Sequence, residues 1–147
     1  MSEKTFVGAF IRRNGRLLAY KHIGKSPAWR IPGGKLELGE HPKQGILREL
    51  AEETGFPISL VDATLFLTTK NFIDGAVWHG HLYNVYVPEF YQAHLMEPHK
   101  CNALGWFTDE ELSQMDYFDG TNGNVRWAAP KEQRHNQSAE RKCRDQA

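Results

Sequence analysis

The stretch from Pro42 to Thr54 constrains the rest of the chain most, because it reads clearly as a helix. Pro42 suits a first helical turn, where its missing N–H is not needed. Gly55 suits the position just past the end, where left-handed backbone is wanted. At about 100° per residue, Leu47, Leu50, Ala51 and Thr54 fall on one side. Glu49, Glu52 and Glu53, at i, i+3 and i+4, fall within an arc of about 100° on the other side. A helix of this kind has to bury its apolar stripe, and the flanking sequence offers strands to bury it against.

Thr5 to Ile11 reads as a strand, Asn14-Gly15 as a tight turn, and Arg16 to His22 as the returning strand, with Leu18 and Tyr20 on one face. Trp29 to Ile31 is a short strand that Pro32-Gly33-Gly34 breaks. Beyond the helix, Leu60 to Thr69 and Ala76 to Val87 read as strands around an Asp74-Gly75 turn. Ala103 to Phe107 is a further short strand. Thr108 followed by Glu111 three residues later marks a helix start. Strands before and after one long helix predict an α/β chain with helices packed on a mixed β-sheet. Residues 1–127 form one domain in this reading. Residues 128–147 contain no Leu, Ile, Val, Phe or Tyr. They lack the apolar side chains to anchor a fold and are expected to form a mobile tail or a loosely held helix.

Eighteen basic side chains balance eighteen acidic ones, so overall charge gives no sign of a nucleic-acid or membrane-surface binder. Cys101 and Cys143 are too few and too far apart for a disulfide framework or a zinc pattern, and fit reduced thiols. Met1 to Lys4 lead directly into an alternating strand, with no signal peptide and no apolar run of about 20 residues. The expectation is a cytoplasmic protein. A second copy of the chain is a compatible partner.

Three carboxylates on one helix face repel one another by a few tenths of a kcal/mol per exposed pair, roughly. Arg48 lies four residues before Glu52 and can pair with it. A hard divalent cation would offset much more. Mg²⁺ takes oxygen ligands, keeps several waters, and completes its shell with substrate phosphates. Gly33-Gly34 supplies a loop where backbone can approach such an ion. A charged helix face taken alone is usually only solvated, so the case rests on the joint spacing.

Gly34, five residues, Glu40, seven residues, then Arg48-Glu49-Leu50-Ala51-Glu52-Glu53-Thr54-Gly55-Phe56 resembles the signature of the Nudix hydrolases in full. Seven fixed identities would coincide by chance roughly once in 10⁸ windows. The resemblance implies an α/β/α sandwich with a mixed sheet. It implies metal, Mg²⁺ or Mn²⁺, held by Glu49, Glu52 and Glu53 with a backbone carbonyl of Gly33 or Gly34. Arg48 would orient the carboxylates, Glu40 would brace the loop entering the helix, and Gly55 would end it. The implied substrate is a nucleoside diphosphate linked to another group.

Leu95 to Cys101, followed by Trp106-Phe107, is similar to the corresponding stretch of the MutT-type nucleoside triphosphate pyrophosphohydrolases. There Glu97 is the candidate for a further metal ligand or the general base, in competition with Glu52. Lys21 sits where related enzymes place a basic phosphate contact. Trp29, Phe72, Trp78 and Tyr83 are candidates for stacking on a base. The expected reaction is cleavage of a nucleoside or deoxynucleoside triphosphate to monophosphate and pyrophosphate. The alternatives are a nucleotide sugar, ADP-ribose or a dinucleoside polyphosphate as substrate, and a non-catalytic nucleotide-binding module.

Overall fold

The computed structural model describes residues 2–24 and 28–119. The 128–147 segment and Cys143 lie outside the described residues. Strand β1 (Ser2–Arg13) is the axis of the fold. Along one edge it runs parallel to β6 (Ala76–Tyr86), from Ser2 opposite Ala76 to Ile11 opposite Val85. Its other edge is shared. Phe6 to Gly8 pair with β4 (Gly33–Lys35), whereas Arg12 and Arg13 pair with β2 (Arg16–His22). Between these two partners the sheet forks, and a cavity opens at the fork.

β5 (Asp62–Ile73) pairs with β6 on the outer side. Beyond the fork, β2 pairs with β7 (Cys101–Phe107) and with β3 (Trp29–Arg30), which in turn pairs with β8 (Tyr117–Phe118). The two hairpin turns form where expected: Asn14 and Asp74 take φ of 52° and 50°, each followed by a glycine with positive φ.

Alternation along β1 serves two cores. Val7, Ala9 and Ile11 face helix α1 (Pro42–Thr54), which contributes Ile46 and Leu50 and is followed by buried Phe56. On the other side Leu17, Ala19, Trp29, Leu82 and Phe107 pack with Leu112 of α2 (Asp109–Ser113) and with Met115. A mixed sheet with a helix on each face is an α/β/α sandwich.

Three local expectations change, and one local feature, the helix N-cap, is new. β1 and β5 each run to 12 residues, longer than their apolar runs, because pairing continues into polar ends. Gly33-Gly34 continues into strand β4, since without side chains these residues can lie against β1. The helix N-cap is His41, whose ring accepts the Lys43 N–H in a capping box with Gln44. The buried face of α1 is Gly45, Ile46, Leu50, Glu53 and Thr54, so Glu53 does not lie opposite the apolar stripe. At 100° per residue Glu53 falls about 20° from Ile46, which the stripe of Leu47, Leu50 and Ala51 had passed over.

Candidate active site

Glu53 is 9% exposed and is held from two sides. Tyr20 on β2 donates its hydroxyl to Oε2 at 2.6 Å, and the Gly33 backbone N–H on β4 donates to Oε1 at 2.9 Å. Burial nevertheless pushes its carboxyl well above the usual range; the Tyr20 bond opposes that shift and the charge of Glu49 adds to it. Glu49, one helical turn earlier, is raised by burial too, with Arg48 pulling the other way. The same neighbourhood pushes the Tyr20 phenol upward, through burial first and the Glu53 charge second.

Two glycines make this packing feasible. Gly33 has φ of 153°, and a Cβ there would overlap the Val7 carbonyl oxygen and lie 2.8 Å from Gly8 Cα. A Cβ on Gly34 would overlap the Glu49 carboxylate. The β4 backbone therefore lies directly against the acidic face of the helix.

Arg48 braces the arrangement from outside. Its Nε and Nη2 donate to the two oxygens of Glu40 at 2.8 and 2.9 Å, a forked pair. Its Nη1 donates to Glu49 Oε2 at 3.2 Å and Glu52 Oε1 at 3.3 Å, and its Nη2 to the Lys35 carbonyl at 3.3 Å. Glu40 also accepts the Glu37 N–H at 3.0 Å. Its carboxyl is drawn down to about 2, mainly by the Arg48 hydrogen bonds. One guanidinium thus ties the loop before α1 to two of its carboxylates and to β4.

Glu97 enters from the connection between β6 and β7. That segment is anchored on the end of α1: the His94 N–H donates to the Thr54 carbonyl at 2.8 Å and the Met96 N–H to the Glu53 carbonyl at 3.4 Å. These are carbonyls that a helix end leaves unpaired. The Glu97 carboxylate is 3.5 Å from Lys100 Nζ.

Tyr20, Gly33, Gly34, Glu49, Glu53 and Glu97 line one cavity of about 820 Å³. Glu52 is not in that lining; its side chain is 46% exposed, because it sits about 60° further round the helix than Glu49. Lys21 is not in the lining either. Strand alternation sends Tyr20 and His22 into the cavity and Lys21 to the opposite face, over the Trp29 ring at 5.9 Å. The basic groups that do line it include Lys4, Arg30, Lys35 and Lys100. Of the proposed stacking residues, Trp78 lines the cavity, whereas Trp29 and Tyr83 are buried in the two cores. Tyr20 was missed as a site residue, although its place beside Leu18 on one strand face was legible.

The sequence matches the NUDIX domain over residues 3–130. The chain belongs to the Nudix hydrolase family. A CTP pyrophosphohydrolase of Escherichia coli (strain K12) is 30% identical to it over 111 residues, covering 74% of this chain and 78% of that protein. A MutT-like protein of Streptomyces ambofaciens is 42% identical over 57 residues, 39% of this chain and 36% of that protein. The chain therefore spans about a third of that relative's length. A MutT NUDIX hydrolase from Burkholderia pseudomallei shares the fold at a TM-score of 0.64, with 24% identity and coverage of 100% of this chain and 99% of that one.

The donor set of this Nudix domain fits an open site for a hard cation. Among the described residues no three acidic, imidazole or thiol groups close into a full cage. Mg²⁺ does not need one, because it is commonly bound through one or two carboxylates plus waters and phosphate oxygens. Two carboxylates forced together by burial, against backbone where a Cβ cannot fit, match that demand. Among the described residues no helix is long and apolar enough to cross a membrane.

Proposed function

We propose that this Nudix domain hydrolyses a phosphoanhydride bond in a nucleoside diphosphate linked to a second group. Its preferred substrate in this reading is a nucleoside or deoxynucleoside triphosphate, which yields the monophosphate and pyrophosphate. The observation that carries it is that Glu49 and Glu53 lie against the Gly33-Gly34 backbone and line, together with Glu97, a cavity whose other walls carry basic and aromatic side chains.

Glu49 and Glu53, with Glu52 and Glu97 as further carboxylates and a carbonyl of Gly33 or Gly34, would hold Mg²⁺ or Mn²⁺. The ion would neutralise phosphate charge and acidify a water. The chain's own residues do the rest. Tyr20 and the Gly33 N–H fix the Glu53 carboxylate. Arg48 fixes Glu49 and Glu52. Lys35, Arg30 and Lys100 draw the polyphosphate into the cavity. The Glu97 carboxylate takes the proton of the attacking water, with Glu52 the alternative base.

The cavity volume favours one second reading. At about 820 Å³ it has room for a sugar-linked or dinucleoside substrate. Product analysis decides between them, using nucleoside triphosphates, nucleotide sugars, ADP-ribose and diadenosine polyphosphates with Mg²⁺. Monophosphate and pyrophosphate from a triphosphate, at the highest kcat/KM of the panel, support the first reading. A preference of about tenfold or more for a sugar-linked or dinucleoside substrate replaces it by the second.

A further inference from the structure

The cavity has a second end, remote in chemistry from the carboxylates. It is built from Lys4 and Phe6 of β1, Asn71 and Asp74 of the β5–β6 hairpin, Trp78 of β6, and Phe118 of β8. Phe6 meets Trp78 edge-on at 6.2 Å and lies 6.3 Å from Phe118. The Lys4 ammonium is 5.6 Å from the Trp78 ring centroid. Phe6, Trp78 and Phe118 are only partly buried, so this aromatic wall faces the cavity and is not sealed into either core. Asn71 stands directly opposite Trp78 in the β5–β6 register, so both side chains project to the same side of the sheet. Asn71 is partly exposed, and no residue among those described accepts from or donates to its carboxamide.

We propose that Asn71 reads the edge of the nucleobase, beside an aromatic wall centred on Trp78, and that Asn71 and Asp74 together select bases that carry an exocyclic amino group next to a ring-nitrogen acceptor. The proposal rests on the nucleotide reading above and names which part of the nucleotide this end of the cavity takes. Aromatic faces hold any base, so the wall supplies affinity without choice. A carboxamide supplies choice, because it presents one acceptor and one donor side by side, as in its paired contacts to adenine. Taken alone it would also match a ring N–H beside a keto oxygen. Asp74 lies on the same hairpin and lines the same cavity. A carboxylate there can only accept, so it favours an amino group and repels a keto oxygen. Cytosine and adenine fit both groups; uracil and hypoxanthine, their keto counterparts, do not.

The test compares CTP with UTP, and ATP with ITP, on the wild-type chain and on Asn71→Ala and Asp74→Asn. Each substitution alters one side chain that is partly or fully exposed. The wild type should favour the amino member of each pair by about tenfold or more in kcat/KM. Asn71→Ala should lower kcat/KM for both members of each pair by about tenfold, and Asp74→Asn, which removes the group that rejects a keto oxygen, should remove most of the preference. As a second readout, free of metal and of turnover, CMP and AMP should quench tryptophan emission in the wild type, and Trp78→Phe should abolish the quench. A wild type without an amino preference overturns the inference and leaves the phosphate chemistry standing. So does a preference that survives Asp74→Asn, an unchanged kcat/KM in Asn71→Ala, or a quench that survives Trp78→Phe. Failure to hydrolyse any nucleotide, with no quench by CMP or AMP, overturns the nucleotide reading itself.

Discussion

Tyr20 donates its hydroxyl to Glu53 Oε2 across 2.6 Å, and that bond joins strand β2 to the acidic edge of α1. Among the described residues the carboxylate has one other donor, the Gly33 N–H. Three separate segments therefore set the position of one side chain, and its burial is tolerable only because both oxygens are bonded.

Tyr20→Phe leaves the ring in place and removes the donor. A buried acceptor left unpaired costs about 1–3 kcal/mol. We expect stability to fall within that range. Mg²⁺-dependent kcat/KM should fall about tenfold to a hundredfold as the carboxylate loses its fixed position. Urea unfolding and steady-state kinetics on the same preparation check both, and an unchanged kcat/KM removes Tyr20 from the site.

Arg48→Lys keeps the charge but not the fork that grips Glu40. Lysine is a point charge and cannot serve Glu40, Glu49, Glu52 and the Lys35 carbonyl together. Turnover should drop by about a hundredfold with the fold retained, since misplacing a catalytic group by about 1 Å costs that much. Near-normal turnover would show that Arg48 is only a surface ion pair.

The Arg48–Glu40 pair also has a pH signature. The folded Glu40 carboxyl titrates at about 2, below its ordinary value of 4.5. Its contribution to stability is present above about pH 4.5 and is lost as pH falls toward 2. Glu40→Gln should flatten this part of the acid-unfolding curve, measured by circular dichroism. A curve identical to wild type would contradict the assignment.

Glu49 and Glu53 have the opposite sign. Their folded carboxyls are raised above 4.5, so the folded chain binds protons more tightly than the unfolded one. Without a cation, their contribution weakens as pH rises above 4.5 through the raised values. A cation that binds only the ionised, folded form restores stability by mass action. Mg²⁺ should therefore raise Tm at pH 8 and have little effect at pH 5. Equal shifts at both values, or none, would contradict the placement of a metal at these groups.

Much of this site was legible because its spacing is local. Glu49, Glu52 and Glu53 share a helix arc in any sequence with that spacing, and the Gly34-to-Phe56 signature named the elements around them. The two hairpins were equally local, each set by a turn dipeptide. What escaped depends on pairing between distant segments. Tyr20 meets Glu53 only because β1 pairs with both β2 and β4 and so brings Tyr20 across the fork to the acidic edge of α1, and Gly33-Gly34 becomes a strand only because β1 offers it an edge. Lys21 illustrates the reverse error. Its position at a strand end was read correctly, but the face it occupies follows from a period of two, and one residue's difference moves a side chain across the sheet. Glu53 lies on the buried face because Ile46, about 20° away on the helix, extends the apolar stripe of Leu47, Leu50 and Ala51 to it.

The most direct test of the account is turnover of a nucleoside triphosphate by Glu53→Gln beside wild type, with and without Mg²⁺, products followed by ³¹P NMR. Glutamine keeps the shape and can still accept from Tyr20 or Gly33, but it removes the charge. The account predicts Mg²⁺-dependent release of monophosphate and pyrophosphate by the wild type. It predicts a loss of about three orders of magnitude or more in Glu53→Gln, with Tm equal to or above that of the metal-free wild type, because a buried charge has been removed. Near-normal turnover by Glu53→Gln, or wild-type hydrolysis that persists in excess EDTA, would contradict it.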